Sequence, residues 1–309
     1  MKSFYPGLPV YFLGKLACFI LWALLLLIPA SGFAENEEDE DKANLLAVRA
    51  DPPGVPVLPV PFGIGEQIVL HVSFGIIPAG KAVIEVIDTT RINDQLAYYV
   101  VSTARSAKGF DWIYKVRDSI ETWLDADSIY SHQFRKQLRE GSYRDEKIVK
   151  FGFKDSLAYW WDDGKEKDPL HVEPYVQDAF TAALKTRTLP MEVGDTLVIR
   201  THDVKKTYDL FVIVHSRETV ETMSGTYDCF KAEPIMKSGG LFKKERKARL
   251  FVWVTADERR IPVMLKSKAS FGTFTVQLES YTPPSYIVPI VSASPPGNSI
   301  QTDSLGIVR

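Results

Sequence analysis

Apolar and polar residues alternate along most of this chain with a period of two, the period of a β-strand. Near the start of the regular pattern, Ile68, Leu70, Val72 and Phe74 are separated by more polar neighbours, so one face of a strand is apolar. Further segments of this kind are 82–86, 97–103, 116–124, 130–138, 148–153, 157–161, 196–201, 206–215, 227–235, 248–255, 262–267 and 271–281. Turn residues such as Asn93-Asp94 and Gly141 separate several of them, which predicts antiparallel neighbours.

One segment has the helical period instead. Phe180 and Leu184 are four residues apart, Val176 continues the apolar stripe, and Pro190 follows, so residues 176–187 are predicted to form a helix. About a dozen strands with one short helix indicate an all-β, mainly antiparallel fold. So many strands favour a strongly curved sheet, a half-barrel or a barrel-like form. The helix is expected to cover part of that sheet, because it can bury its apolar side nowhere else.

The two ends of the chain differ from this pattern. Residues 1–34 contain lysines, then an apolar run, and then small residues at the −3 and −1 positions, Gly32 and Ala34. This order predicts a signal peptide cleaved after Ala34. An uncleaved membrane anchor is the alternative, and in both cases the acidic residues that follow place the bulk of the chain outside the cytoplasm. Residues 35–61, acidic and then proline-rich, are predicted to be a disordered linker, and 283–309 a disordered tail. A single β-rich domain is predicted for 62–282.

Composition and charge narrow the classes of partner. The chain of 309 residues is 45% hydrophobic, and its 37 basic residues are balanced by 39 acidic ones, giving a net charge of −2. That balance makes nucleic acid an improbable partner. Cleavage after Ala34 would leave Cys229 without a second cysteine, and a buried core position is favoured for it over a catalytic one. Neither a metal site nor a cofactor is predicted, since the five histidines lack metal-ligand spacing.

Motifs for catalysis are equally sparse. The sequence has no Gly-x-Ser-x-Gly elbow and no phosphate-binding loop. His202-Asp203 is followed closely by Lys205-Lys206, and these residues are interpreted as a hairpin turn in preference to a catalytic dyad. Acidic residues in and after the segment 116–124 are candidates for a hydrolytic pair, of which Asp125 and Asp127 are assigned to a turn. The basic run 243–249 is interpreted as a solvated turn in preference to a membrane contact. No catalytic residue is therefore predicted.

Apolar side chains offer the better candidates for binding. Leu250–Val254 is apolar on both faces, which requires cover from a second layer or from a ligand. Phe180 and Leu184 on the helix, together with Trp160 and Trp161, are the predicted ligand-binding residues. Consecutive residues of a strand point to opposite faces, so one of the two tryptophans is expected to be available to a ligand or a partner.

The order of several short motifs resembles a family of secreted bacterial envelope proteins known as domain of unknown function 3108. These motifs are Gly65-Glu66, Ala79-Gly80, Asp118 with Glu121-Thr122 and Trp123, Gln177-Asp178, Arg187, Gly194-Asp195, Gly225-Thr226-Tyr227, Pro234, Trp253, Asp257, Arg260-Ile261-Pro262-Val263 and Gly272. The resemblance covers most of 62–282 and implies a mostly β protein of the periplasm. On the helix, Ala179 and Leu184-Lys185 depart from the family's usual residues.

These observations lead to three functional hypotheses. The first is a non-enzymatic periplasmic protein that binds or carries a lipid, a lipoprotein acyl chain or another apolar ligand on the concave face of the sheet. The second is a scaffolding protein of the envelope that binds other proteins and no small ligand. The third, and least favoured, is a hydrolase of envelope glycans that uses an acidic pair.

Overall fold

A computed structural model describes residues 47–49, 60–112, 114–237, 248–269 and 272–289. The predicted signal peptide 1–34, its cleavage site after Ala34 and most of the basic run 243–249 lie outside these residues. No helix within the described segments is long and apolar enough to cross a membrane.

The described residues form fifteen β-strands and one α-helix. The strands are β1 (Ala47–Arg49), β2 (Gln67–Phe74), β3 (Ile77–Ile92), β4 (Gln95–Ser106), β5 (Arg117–Asp125), β6 (Ser131–Glu140), β7 (Tyr143–Gly152), β8 (Leu157–Asp162), β9 (Lys165–His171), β10 (Thr196–Asp203), β11 (Lys206–Thr222), β12 (Gly225–Lys237), β13 (Ala248–Thr255), β14 (Pro262–Ala269) and β15 (Gly272–Thr282). The helix α1 spans Ala179–Arg187. The predicted all-β fold is confirmed, with a few more strands than the expected dozen.

All strands belong to one sheet in the order β1-β10-β11-β12-β13-β14-β15-β2-β3-β4-β5-β6-β7-β8-β9. Every pair is antiparallel except the short β1, which lies parallel to β10. The sheet is not closed by strand pairing, since β9 and β10 are not neighbours. The chain between them contains α1, which contacts β5 and β10, far apart in the strand order. The sheet therefore curves around the helix.

The helix begins three residues later than the sequence pattern predicts. Gln177 is extended because it pairs with the outer part of β10: its N–H donates to the carbonyl of Arg200 (3.0 Å), and its carbonyl accepts the N–H of His202 (2.7 Å). The carbonyl of Val176 accepts the N–H of Ser131 on β6 (3.3 Å). This short extended segment thus links β10 to β6 across the open side of the sheet.

Asp178 caps the helix and attaches it to the sheet. One oxygen, Oδ1, accepts the backbone N–H groups of Phe180 (2.7 Å) and Thr181 (2.9 Å), as an N-cap does. The other, Oδ2, accepts the hydroxyls of Thr181 (2.5 Å) and of Thr122 on β5 (2.6 Å). All four residues are buried, so the position of the first helical turn is set by groups that have no access to water.

A buried ion pair holds the other end of the helix. The Arg187 guanidinium donates to both carboxylate oxygens of Glu66, at 2.8 and 2.7 Å, and also to the carbonyl of Arg259. The hydroxyl of Tyr281 donates to the same carboxylate (3.1 Å). Glu66 and Arg187 both lie in motifs of the family resemblance, as do Thr122 and Asp178. Two pairs of these motif residues therefore fix the helix at its two ends.

Strand β13 shows how a strand with two apolar faces is covered. Val252 and Val254 face the helix side, and Trp253 lies on the opposite face with Phe251. There the ammonium group of Lys231 sits 4.9 Å from the Phe251 ring centre and 5.2 Å from that of Trp253. Long cationic side chains can shield rings in this way while their charged ends stay in water. On the outer face of this strand the cover thus includes the cationic side chains of Lys231, Arg249 and Lys266.

Some ordered structure lies outside the predicted domain limits of 62–282. Ala47–Arg49, inside the predicted linker 35–61, forms strand β1. Tyr286, inside the predicted tail 283–309, forms a bridge with Ile64. Val288 donates its N–H to the Tyr98 hydroxyl (3.0 Å). The linker 35–61 and the tail 283–309 otherwise stay predictions.

Candidate functional site

A cavity of about 100 Å³ lies between α1 and the concave face of the sheet. It is lined by Ile68, Leu70, Ile84, Phe180, Ala183, Leu184, Thr186, Arg187, Met191, Val212, Ala232, Pro234, Val252, Val254, Arg260, Pro262 and Leu265. Most of these residues are apolar. Because alternate residues of β2, β13 and other strands point to this side, the period-two pattern of the sequence places an apolar wall around the cavity.

The helix supplies one wall of the cavity. Phe180 and Leu184 are buried and lie one turn apart, so both project to the same side. Ala183 and Thr186, which also line the cavity, are only half-buried. Solvent therefore reaches the helix along the Ala183 and Thr186 side, next to the cavity.

Two arginines border the cavity, and both are already bonded to protein groups. Arg187 forms the ion pair with Glu66 described above. The Arg260 guanidinium donates to the carbonyls of Ala256 (2.6 Å) and Asp257 (3.0 Å) and lies 5.1 Å from the Phe230 ring centre. Burial lowers the pKa of Arg260 below its usual value. The arginines thus close a mainly apolar cavity at one end with cations that carry their own partners.

The size and lining of the cavity define what it can bind. A water molecule needs about 10–15 Å³ of cavity volume measured in this way, so a cavity of this size has room for about eight water molecules. Water in a protein requires two to four polar partners, which these aliphatic and aromatic walls do not offer. The arrangement suits a short apolar group better than water or an ion.

The structure places the four predicted ligand-binding residues in two separate regions. Phe180 and Leu184 both line the cavity, whereas neither Trp160 nor Trp161 does. Trp160 is buried, donates its indole N–H to the carbonyl of Asp168 (3.0 Å), and lies under the ammonium group of Lys205. Trp161 is half-buried, with the Lys150 ammonium 5.4 Å from its ring centre. The two tryptophans pack on opposite faces of β8, as alternation requires.

The carboxylates considered for hydrolysis do not line the cavity. Asp118 is buried and accepts the backbone N–H of Arg139 (2.6 Å); burial raises its pKa to about 6, with hydrogen bonds from Arg139 and Glu140 acting against that rise. Asp125 is buried beside His132, which lies 3.3 Å away, and it accepts the N–H groups of Asp127 and Ser128.

Burial acts to raise the pKa of Asp125, but the hydrogen bonds from His132 and from the turn outweigh it, so the pKa is lowered. This carboxylate therefore organises the turn that follows β5.

Two further polar groups have structural partners. His202 at the β10–β11 turn is buried, contacts the Thr207 hydroxyl through Nδ1 (2.8 Å), and has its pKa lowered to about 4 by burial. Asp145, Asp162 and Asp163 bring their oxygens close together, but the ammonium group of Lys147 binds both Asp145 and Asp162. The ammonium group of Lys147 thus already forms ion pairs with two of these three carboxylates.

Sequence reasoning found the helix side of the cavity but not its strand side. The missed residues include Ile68, Ile84, Val212, Val252 and Pro262. Their alternation predicted which face was apolar. It could not indicate where the curved sheet and the helix leave space, because that depends on the pairing of strands distant in sequence.

Comparison with known proteins gives a family but no activity. No curated protein matches the chain. Among solved structures, a β-barrel-like protein of domain of unknown function DUF1849 from Brucella abortus has a TM-score of 0.48 and 9% identity, covering 75% of this chain and 100% of that one. A candidate exported protein with a YmcC-like fold from Bacteroides fragilis has a TM-score of 0.32 and 14% identity, covering 73% and 99%. Residues 70–279 match the family described as protein of unknown function (DUF3108), and because the match spans more than half of the sequence, the chain belongs to that family.

Proposed function

We propose that this protein is a non-enzymatic binding or carrier protein of the bacterial periplasm that holds an apolar chain, such as a lipid acyl chain, between α1 and the sheet. The observation that carries the proposal is the cavity itself: its walls are aliphatic and aromatic, and the cations at its edge are already paired. The signal-like segment 1–34 and the acidic residues after it support an exported location.

The cavity volume sets the affinity to expect. A segment of about six methylenes transferred from water would gain about 5 kcal/mol at 0.8 kcal/mol each. Alone, that gain corresponds to a Kd of about 0.3 mM. The bound chain is therefore held by its end segment, with modest affinity that allows release, as a carrier requires.

The direct test uses protein purified from its own cell envelope without detergent. Because a ligand with a Kd of about 0.3 mM is lost on purification, native mass spectrometry is carried out with fatty acid added at millimolar concentration, and saturable one-to-one adducts are expected. After solvent extraction, the protein is titrated with a fluorescently labelled fatty acid, and saturable binding in the submillimolar range is expected. A bare mass together with no saturable binding would refute the proposal and favour the scaffolding hypothesis.

Two neighbouring residues of β3 provide a matched pair of variants. Ile84 lines the cavity, whereas Val83 points to the opposite face, and both are half-buried. Ile84→Trp fills the cavity and is expected to weaken fatty-acid binding at least about tenfold, the equivalent of 1.4 kcal/mol. Val83→Trp adds the same ring outside and is expected to leave binding unchanged. Equal effects of the two variants would show that the fatty acid binds elsewhere.

A further inference from the structure

The turns at one end of the sheet form a continuous rim. In an antiparallel meander, alternate connections lie at the same end, which here includes the β2–β3 turn, the β4–β5 loop and the β6–β7 turn. Backbone hydrogen bonds join them in series: Ala107 N–H donates to the carbonyl of Ala79 (2.8 Å), and Gly141 N–H to that of Lys115 (2.7 Å). We call these three connections and the strand ends beside them the turn rim.

The turn rim exposes large apolar side chains at its tips. Ile76 is 98% exposed and Trp112 is 82% exposed, while Ile77 and Tyr143 are each about half exposed. These side chains contribute little to the core, and each stands on a narrow turn instead of forming a broad flat patch. The four side chains share one end of the sheet, because the three turns that carry them are neighbours in the strand order.

Charge is distributed unequally between the two ends of the sheet. Within two residues of the three connections of the turn rim, the exposed charged residues that the structure describes are all basic: Arg105, Lys108, Lys115, Arg139 and Arg144. Two further turns at the same end of the sheet, β8–β9 and β10–β11, add the basic residues Lys165, Lys205 and Lys206 and the acidic residues Asp163 and Glu166. At the opposite end the exposed acidic residues are Asp94, Asp127, Asp155, Glu173, Glu192, Glu221, Asp257 and Glu258, and the basic ones are Arg91, Lys154 and Arg259. The molecule is therefore basic at the rim and acidic at the far end.

We propose that the turn rim docks on an anionic phospholipid bilayer. Tryptophan and tyrosine prefer the boundary between headgroups and acyl chains, and lysine and arginine are attracted to anionic headgroups. The acidic far end is repelled by the same surface, so the field also orients the protein with the rim towards the lipid. Separate apolar tips fit insertion between headgroups better than a protein interface, which has a continuous buried core.

The test measures binding of the protein, purified in its natural form, to sedimenting vesicles made of equal parts phosphatidylglycerol and phosphatidylcholine, and to vesicles of phosphatidylcholine alone. Binding is expected to be stronger to the anionic vesicles and to decline with added salt. Lys108→Gln with Lys115→Gln is expected to weaken it by roughly fivefold per cation removed. Ile76→Ser with Trp112→Ser is expected to weaken binding to both kinds of vesicle.

The opposite end of the sheet supplies the matched control. Val193 and Met223 are also exposed apolar residues in connections there, and Val193→Ser with Met223→Ser is expected to leave binding unchanged. Quenching of tryptophan fluorescence by lipids with brominated acyl chains is expected. Trp112→Phe should remove most of it when Trp22, which lies in the apolar run of 1–34, is replaced by phenylalanine in both proteins compared.

Several outcomes would overturn docking by the rim. Equal losses in the rim and control variants would do so, as would quenching that persists in Trp112→Phe. Rim variants that leave vesicle binding intact but abolish a cross-link to another protein would make the rim a protein interface. The cavity variant Ile84→Trp is expected to bind vesicles normally, so failure of the rim proposal is distinguishable from failure of the proposed function.

Discussion

Replacing Arg187 by methionine is expected to destabilise the fold strongly, because it leaves the carboxylate of Glu66 buried without its counter-ion. Glu66 and Arg187 are both buried, and two charge-assisted hydrogen bonds join them. Hydrogen bonds to charged groups contribute about 1.5–3 kcal/mol each, and removal of one partner of a buried ion pair costs about 3–5 kcal/mol. The expected loss in the free energy of unfolding for Arg187→Met is therefore about 3–5 kcal/mol. For a domain of this size, that loss corresponds to a fall in Tm of about 6–20 °C.

Urea denaturation followed by tryptophan fluorescence and far-ultraviolet circular dichroism measures this change, with an unaltered m value as evidence that the transition is comparable. The double variant Glu66→Leu with Arg187→Met removes both charges and is expected to recover most of the loss. Arg217→Met breaks the exposed pair with Asp228 and is expected to change stability too little to measure. A loss below about 1 kcal/mol in Arg187→Met, or a double variant no more stable than the single one, would refute the reasoning.

Two further substitutions and one labelling experiment test other buried groups. Asp178→Ala removes the helix cap and leaves two hydroxyls without their acceptor, so a loss of about 2–4 kcal/mol is expected in the same urea assay. Because burial raises the pKa of Asp118 from 3.8 to about 6, the folded state binds this proton more tightly than the unfolded state, and stability declines as pH rises between these values. Asp118→Asn keeps the oxygen that accepts the Arg139 N–H. Its free energy of unfolding relative to that of the natural protein is expected to rise across that pH interval, by up to about 3 kcal/mol at neutral pH. A difference in free energy of unfolding that stays constant with pH would contradict this. Burial raises the pKa of the Cys229 thiol to about 12, so mass spectrometry is expected to find it unmodified by iodoacetamide in the folded protein and modified after unfolding.

The alternation of apolar residues was sufficient to predict the fold class, because every strand with one buried face carries that pattern. Strand β9 is not predicted, because Lys165–His171 is largely exposed on both faces and has no apolar alternation. Its backbone pairing with β8 alone makes it a strand. The lysines and Pro169 of this edge strand also discourage pairing with other molecules. A strand with no buried face carries no hydrophobic period to detect.

The candidate site was predicted only in part, and the limit is again physical. Phe180 and Leu184 could be recognised because helical spacing places both on one side. Glu66 and Arg187 are 121 residues apart, and nothing in their local sequence indicates that they meet. Trp160 and Trp161 are predicted from their alternation on a strand, which places one on each face, whereas their surroundings depend on cover from Lys205 and Lys150. Contacts of this kind follow from strand order, which periodicity does not contain.

The strand order also pairs a strand near the start of the chain, β2, with the last strand, β15. Gln67 and Thr282 are direct partners on β2 and β15, so the first and the last residue of the antiparallel part of the sheet, β2 to β15, lie side by side. The natural break in the sheet falls between β9 and β10, where α1 is inserted. A circular permutant could begin at β10, pass from β15 to β2 through a linker and end at β9. It would retain all the strand pairings among β2 to β15 and would break one of the two chain connections of the helix. In that topology each of these strands pairs with its neighbour in sequence, and the lower contact order should speed folding. The natural connectivity trades that speed for a helix connected at one end to the edge strand β9 and at the other end to β10, which lies beside the edge strand β1.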